Sequence, residues 1–468
     1  MEYLLEIMQL AVLPIGILCL FFRWLYGEAS AKEYFSTAKL FVLLSMAVSV
    51  LNNNTLMPMF LKPDILNTVS YLLTAAAFYI WLSLSLKWFT TVKLPAYRFC
   101  SLTLLLLFSF NLLLFANRLD IMLAALAFLA LLQYLLLCFS QENEEFHNIS
   151  GRYGYSALFF VLLFFTALSV LYPQGMSFDK AAVMIAQMPE EVLFLVSAGL
   201  LLVFIFMIGI APLHFWTSEV AGLSVLPVAA YFAFVPQTAL WVSFVKINIL
   251  LFAPIADTLQ NIYLTFGLVS LAVGAFGANT SRNMRRIFSF AGLLNLGVVL
   301  ILISSFKLEN VAAGLSYVQI YVLAVCGIYT LMFVLKNNGE YLSNLNTLNG
   351  FAKNKPFIAV SLLFFMLSLM SVAPLPMFFS GWNTLNYLVL DGQYFIMAAI
   401  AAGIMIMLPS FVQILRTAFF SETCVSTDRG ERLIYVLILL NIFLNFVLMF
   451  YPDALFNEAL WLTDGLKP

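Results

Sequence analysis

Pro212-Leu213-His214-Phe215-Trp216-Thr217-Ser218-Glu219-Val220, followed by Pro227-Val228-Ala229-Ala230, separates two long apolar segments of the chain. Proline removes a backbone hydrogen bond and crowds the preceding turn, so a helix arriving from residue 190 must kink or end near Pro212. His214 is one of only two histidines. The other, His147, follows the acidic run Gln141-Glu142-Asn143-Glu144-Glu145, which reads as a solvated loop. Two readings of His214 stand side by side: a ring at a helix end bonded to backbone, or a group that admits protons beside Glu219.

The surrounding composition fixes the class. Of 468 residues, 63% are hydrophobic and 10% are charged, with mean hydropathy +1.00. Soluble domains carry about 25% charged residues, so the chain reads as an all-α polytopic membrane protein. A net charge of -1 gives no footprint for nucleic acid. The five cysteines (Cys19, Cys100, Cys138, Cys326, Cys424) are scattered without a CxxC pair and read as packing residues. The start, Met1-Glu2-Tyr3-Leu4-Leu5-Glu6, is acidic and runs into a spanning-length apolar stretch, unlike a cleavable signal peptide.

Hydropathy predicts about fourteen spans of roughly 20 residues. They lie near 4–24, 37–52, 67–88, 98–116, 119–140, 153–172, 190–213, 225–250, 259–280, 286–305, 311–335, 356–390, 394–415 and 432–451. Taken alternately, the loops on one side hold 16 of the 22 basic residues. The other side holds six: Lys62, Arg118, Lys180, Lys246, Lys307 and Lys467. The positive-inside rule then places both termini on the non-cytoplasmic side.

Prolines also interrupt the twelfth span, at Pro374 and Pro376 within Ser371-Val372-Ala373-Pro374-Leu375-Pro376. Broken helices in corresponding places of two halves point to a transport site in an inverted-repeat fold, although packing kinks give the same pattern. The breaks fall five helices apart. That spacing divides the chain into a three-helix segment, 1–97; two five-helix repeats, 98–253 and 259–420; and a terminal helix with tail, 421–468.

Several segments, in order, carry a family resemblance. The Pro212 stretch is similar to Pro-x-His-x-Trp-x-x-Asp-Val followed by Pro-Val-Ser-Ala, with Glu219 at the usual aspartate. Asn283-Met284-Arg285-Arg286-Ile287 through Asn295-Leu296-Gly297 resembles an Asn-x-Lys-Arg segment leading into a His-Leu-Gly helix. Lys355-Pro356 with Met366-Leu367-Ser368-Leu369 resembles the start of a broken twelfth helix. The pattern is that of the antiporter-like proton-channel subunits of respiratory complex I, nearest to the N-subunit family of bacterial NADH:quinone oxidoreductase. It runs from about residue 115 to the end, and the first three helices carry little signal.

This resemblance implies an antiporter-like fold with two inverted five-helix repeats. It also implies buried titratable groups: a glutamate on helix 5, lysines on helices 7 and 8, and a charge on helix 12. Local spacing carries these onto Ala127, Met207, Gln237 and Gly381, none of them ionisable. A charge at mid-membrane costs at least ~2.5–3.5 kcal/mol and is kept where a shifted pKa moves protons. Methionine stores no proton, and glutamine orients water without titrating.

The expected function is therefore a proton-channel-like membrane-arm subunit whose lysine–glutamate relay is lost. The remaining proton-path candidates are His214, Glu219, Gln237 and Asn295. Gln237 and Asn295 also read as ordinary interhelical hydrogen-bonding groups. No GxGxxG after a strand, cysteine cluster or histidine pair marks a redox site. NADH, FMN, iron–sulfur clusters and quinone are expected in partner subunits of a large complex in the bacterial inner membrane. The alternative is an antiporter-like structural subunit of a cation/proton antiporter, membrane-bound hydrogenase or inorganic-carbon transporter.

Overall fold

The computed structural model describes residues 2–27, 30–52, 64–91, 95–139, 144–171, 178–337, 339–421, 428 and 430–464. Helices α1 (Glu2–Leu25), α2 (Ala31–Asn52), α3 (Ile65–Thr91) and α4 (Ala96–Phe115) open the chain. They are followed by α5 (Leu119–Cys138), α6 (Glu144–Leu171), a short α7 (Phe178–Ile185) and α8 (Glu190–Ile208). Three pieces come next: α9 (Thr217–Leu223), α10 (Leu226–Phe234) and α11 (Gln237–Leu251). Long helices resume with α12 (Ala256–Thr280), α13 (Met284–Ile303) and α14 (Leu308–Met332). A hairpin of β1 (Lys336–Asn337) and β2 (Glu340–Tyr341) leads to the short α15 (Phe351–Asn354). The chain closes with α16 (Pro356–Leu369), α17 (Pro376–Leu390), α18 (Tyr394–Phe420), α19 (Arg432–Phe450) and α20 (Ala454–Asp464).

Hydrocarbon offers no partner to a backbone amide, which is why apolar runs of this length become helices. Among the described residues, 13 helices are long and apolar enough to cross a membrane. The expected twelfth span is split into two pieces, α16 and α17, each too short to be counted among the 13. The most enclosed spans are Leu226–Leu251, in whose apolar 18-residue window 94% of residues are buried, and Met284–Ile303 and Leu308–Met332, with 83% each.

Both expected breaks are present, and they correspond position by position around a shared Ala-Pro-Leu. Gly209-Ile210-Ala211-Pro212-Leu213 follows α8, and Ser371-Val372-Ala373-Pro374-Leu375 follows α16. The first residue of each is left-handed, with φ +87° at Gly209 and +53° at Ser371, and each Ala-Pro bond is cis. Gly209 also lacks room for a side chain, since a Cβ there would lie 2.4 Å from Thr217 Cγ2. Pro376 plays a different part from Pro374: it occupies the first turn of α17, where a missing N–H costs nothing.

The chain folds as two compact units. One is built from Met1–Ile208 and Thr238–Pro254, the other from Gly209–Gln237 and Ile255–Asp464. The division falls at the first break, so α8 belongs to one unit and α9 to the other. These units do not coincide with the repeat boundaries expected from break spacing.

Candidate functional site

In the second unit, two half-helices hang from the breaks, and polar groups hold their ends. Thr217 begins α9 and donates from both its N–H and its hydroxyl to the His214 carbonyl, each at 2.9 Å. Within the break, the Ala211 N–H donates to Ser270 Oγ of α12 at 3.0 Å. His214 is half-buried, and its Nδ1 has no partner. Glu219 lies in the first turn of α9, where a carboxylate complements the N-terminal end of the helix dipole.

The far end of α9 leaves carbonyls that need donors. Arg285, in the first turn of α13, supplies them: Nη1 donates to Ser224 O at 2.6 Å and Nη2 to Gly222 O at 3.0 Å. Asn283 caps α13 and fixes this turn, its Oδ1 accepting from Arg285 N at 3.0 Å. Arg286 lies so close to Gly222 that a Cβ there would be 2.2 Å from its Nε. Gly222→Ala is therefore expected to displace Arg286 and cost about 1–3 kcal/mol, the usual range for overpacking. Thermal denaturation of the assembled protein checks this, and an unchanged midpoint would contradict it.

The second break is held by α13 and α14. The Tyr317 hydroxyl donates to Asn295 Oδ1 at 2.7 Å. Asn295 Nδ2 donates to Ala291 O at 2.8 Å and reaches Leu369 O, in the last turn of α16, at 3.5 Å. Beside this pair opens a cavity of about 240 Å³ bounded by Tyr317, Ser371, Gly381, Trp382 and Thr384. A Cβ on Gly381 would lie 3.4 Å from Ser371, an ordinary contact. At the end of α17, Asp391 accepts from Lys307 Nζ and from Asn310 Nδ2, so this half-helix is also anchored by a basic residue.

The positions carried over from the resemblance fall in unlike surroundings. Ala127 on α5 borders a cavity of about 390 Å³ with Tyr134, Gly151 and Gly154. Met207, near the end of α8, is 1% exposed. Gln237 begins α11, is buried, and has an Oε1 without a partner. Gly381 faces the cavity just described.

One charge was misplaced by sequence reasoning. Lys246, counted with the outer-side loops, lies inside α11 and is 3% exposed. Its ammonium donates to Ala116 O at 2.8 Å and Leu114 O at 3.3 Å, closing the C-terminal end of α4, and lies 5.4 Å from the Phe178 ring centre. A cation there complements the helix dipole. Nine residues at about 100° each put Lys246 on the face of α11 opposite Gln237, so it is no shifted copy of that position. Among the described residues, no group of three or more His, Cys, Asp or Glu side chains suits a metal ion.

Comparison with known proteins agrees with this architecture. The family model for the NADH:quinone oxidoreductase/Mrp antiporter transmembrane region matches residues 116–406. NADH-quinone oxidoreductase subunit N of Rhodospirillum rubrum is 27% identical over 240 residues, 50% of this chain and 49% of that protein. Subunit N of Hirschia baltica is 23% identical over 321 residues, 67% of this chain and 66% of that protein. The chain thus spans about half the length of the first curated relatives it matches.

A chain of respiratory complex I from Thermus thermophilus superposes with TM-score 0.80 at 18% identity, covering 96% of this chain and 99% of that one. The membrane-bound sulfane sulfur reductase, an archaeal respiratory membrane complex, gives TM-score 0.86 at 15% identity, covering 98% and 97%. The Mrp complex of Dietzia sp. DQ12-45-1b gives 0.82 at 14%, also covering 98% and 97%. At such identities these likenesses establish the fold. The family match takes in both breaks together with Arg285, Asn295 and Tyr317, and on it the chain belongs to the NADH:quinone oxidoreductase/Mrp antiporter transmembrane family.

Proposed function

We propose that this chain is a membrane-arm subunit of a proton-translocating NADH:quinone oxidoreductase, antiporter-like in fold, that no longer moves protons through a buried lysine–glutamate relay. The observation that carries this reading is an antiporter-type bundle with Ala127, Met207, Gln237 and Gly381 at the positions carried over for titratable groups. A relay needs side chains that hold and release a proton at mid-membrane. In this reading Asn295 anchors a broken helix, and His214, Glu219 and Gln237 orient water. The redox chemistry of NADH, FMN, iron–sulfur clusters and quinone resides in partner subunits. The host is the bacterial inner membrane, with both termini on its non-cytoplasmic side, as the basic-residue asymmetry favours.

The decisive measurement is the proton-to-electron ratio of the host complex in membrane vesicles. Gln237→Leu is expected to leave it unchanged and to leave stability close to the parent's, because the buried Gln237 Oε1 has no hydrogen-bond partner to lose. His214→Ala is likewise expected to leave the ratio unchanged. A clear drop with normal assembly would mean that polar, non-titrating residues carry protons here. For topology, a periplasm-active reporter is expected to be active at the C-terminus and inactive at Lys353. A cytoplasmic signal at the C-terminus would reverse the orientation.

A further inference from the structure

Helices α1–α4 pack as a bundle ahead of the family match: α1 on α2 and α4, α2 on α3 and α4, and α3 on α4. Its interior is unexpectedly polar at one end. Ser45, Ser49 and Asn52 recur at spacings of four and three along α2 and are all buried. On α3, Asn67 and Tyr71 are four apart and buried, as is Asn111 on α4. Residues at these spacings share one helix face. Asn52 Nδ2 donates to Gln9 Oε1 of α1, so the seam touches all four helices.

Several polar atoms of this seam have no protein partner. They are Gln9 Nε2, Tyr71 Oη, and both Asn111 Oδ1 and Nδ2. Gln9 is 1% exposed, and Tyr71 and Asn111 are fully enclosed. The Tyr71 hydroxyl lies beside the Ser45 and Asn111 side chains, yet none of these pairs meets hydrogen-bond geometry. The Ser45 and Ser49 hydroxyls donate to their own helix, at 2.7 Å to Val42 O and 2.8 Å to Met46 O, which leaves their oxygens free to accept.

Donors and acceptors that face one another without closing are the surroundings in which buried water is held, since each water takes 2–4 such partners. We propose that the seam binds a short chain of internal waters bridging Tyr71, Asn111, Ser45 and the Gln9–Asn52 pair. Water is favoured over an ion because the lining is neutral. The basic residues Arg23, Lys32, Lys39, Lys87 and Arg98 stand toward the opposite ends of these helices. The site is hydrated independently of the two broken-helix sites and of any proton path through them.

Hydroxyl-radical footprinting of the intact host complex in its membrane, with radicals made in place from water by an X-ray pulse and read by mass spectrometry, tests this. Tyr153 is the internal control, equally enclosed but with its hydroxyl bonded to Gln133 Oε1 at 2.5 Å. Tyr71 is expected to be modified severalfold faster than Tyr153, and Asn111→Leu to bring the Tyr71 rate down toward that of Tyr153. Protection of Tyr71 equal to that of Tyr153 in the parent overturns the proposal, as does a Tyr71 rate unaltered by Asn111→Leu. Should that variant fail to assemble, the comparison within the parent decides alone.

Discussion

A lysine placed at Met207 is expected to keep the subunit from accumulating in its complex, whereas a lysine at Gly381 is expected to assemble. Both positions correspond, in the resemblance, to lysine-bearing sites, but their surroundings differ. Met207 is 1% exposed on α8, and its neighbour Phe206 packs on Phe160 and Tyr153 with ring centres 5.0 and 5.4 Å apart. An ammonium there would be fully enclosed at a cost of at least ~2.5–3.5 kcal/mol, a large part of a stability margin of about 5–15 kcal/mol.

Gly381 borders about 240 Å³ of space, and a side chain rooted there meets the Ser371 and Tyr317 hydroxyls that bound the same cavity. Hydroxyl oxygens accept from an ammonium, so the desolvation cost is largely offset. Subunit abundance in the purified complex, normalised to a partner subunit, measures both variants. Normal abundance of Met207→Lys, or loss of Gly381→Lys, would show that burial at these sites is not as described. If Gly381→Lys assembles, it also gives a direct means of asking whether a restored charge changes proton yield.

The helices were legible because the membrane allows little else: an apolar run of spanning length has to satisfy its own backbone. The breaks were legible because proline announces itself; their shared backbone form was not, because Gly209-Ile210-Ala211-Pro212-Leu213 and Ser371-Val372-Ala373-Pro374-Leu375 have only Ala-Pro-Leu in common and the flanking apolar runs do not align by eye. Hydropathy nevertheless carried the seventh span to residue 213. Gly209, Ile210 and Ala211 are as apolar as the helix before them, and only the left-handed φ at Gly209 ends α8 at Ile208. Helices α7 and α20, of 8 and 11 residues, were lost in expected loop and tail because each is shorter than a hydropathy window.

The site was less legible, since its pairings are tertiary. Nothing in the sequence says that Tyr317 meets Asn295 or that Asn295 reaches Leu369 O; those contacts follow from how α13, α14 and α16 pack. Lys246 offered a local signal: it sits within Val245-Lys246-Ile247, inside an apolar run, where a lysine is costly and so must have a partner. That partner, the end of α4, lies about 130 residues earlier in the chain and leaves no trace near Lys246.

Arg285 gives the sharpest test of how the broken helix is held. Arg285→Met is expected to lose most of the assembled subunit, and Arg285→Lys only part of it. The guanidinium makes two hydrogen bonds to the end of α9, at 2.6 and 3.0 Å. Bonds from a charged donor contribute about 1.5–3 kcal/mol each, so both together are worth roughly 3–6 kcal/mol before the helix-dipole term. Methionine fills a similar volume but leaves Gly222 O and Ser224 O without their donor in an enclosed setting. Lysine keeps the charge and one strong bond but lacks the planar fork that spans two carbonyls.

Arg286 is the group positioned to compensate, because it already lies against Gly222 and its Nε has no partner. Near-normal stability of Arg285→Met that collapses in the Arg285→Met/Arg286→Met double variant would assign the clamp to both arginines. Near-normal stability in the double variant as well would mean that α9 is held in place by packing of its apolar face, and that the two bonds to its end are incidental. Native-gel assembly and thermal denaturation of the single and double variants separate these outcomes.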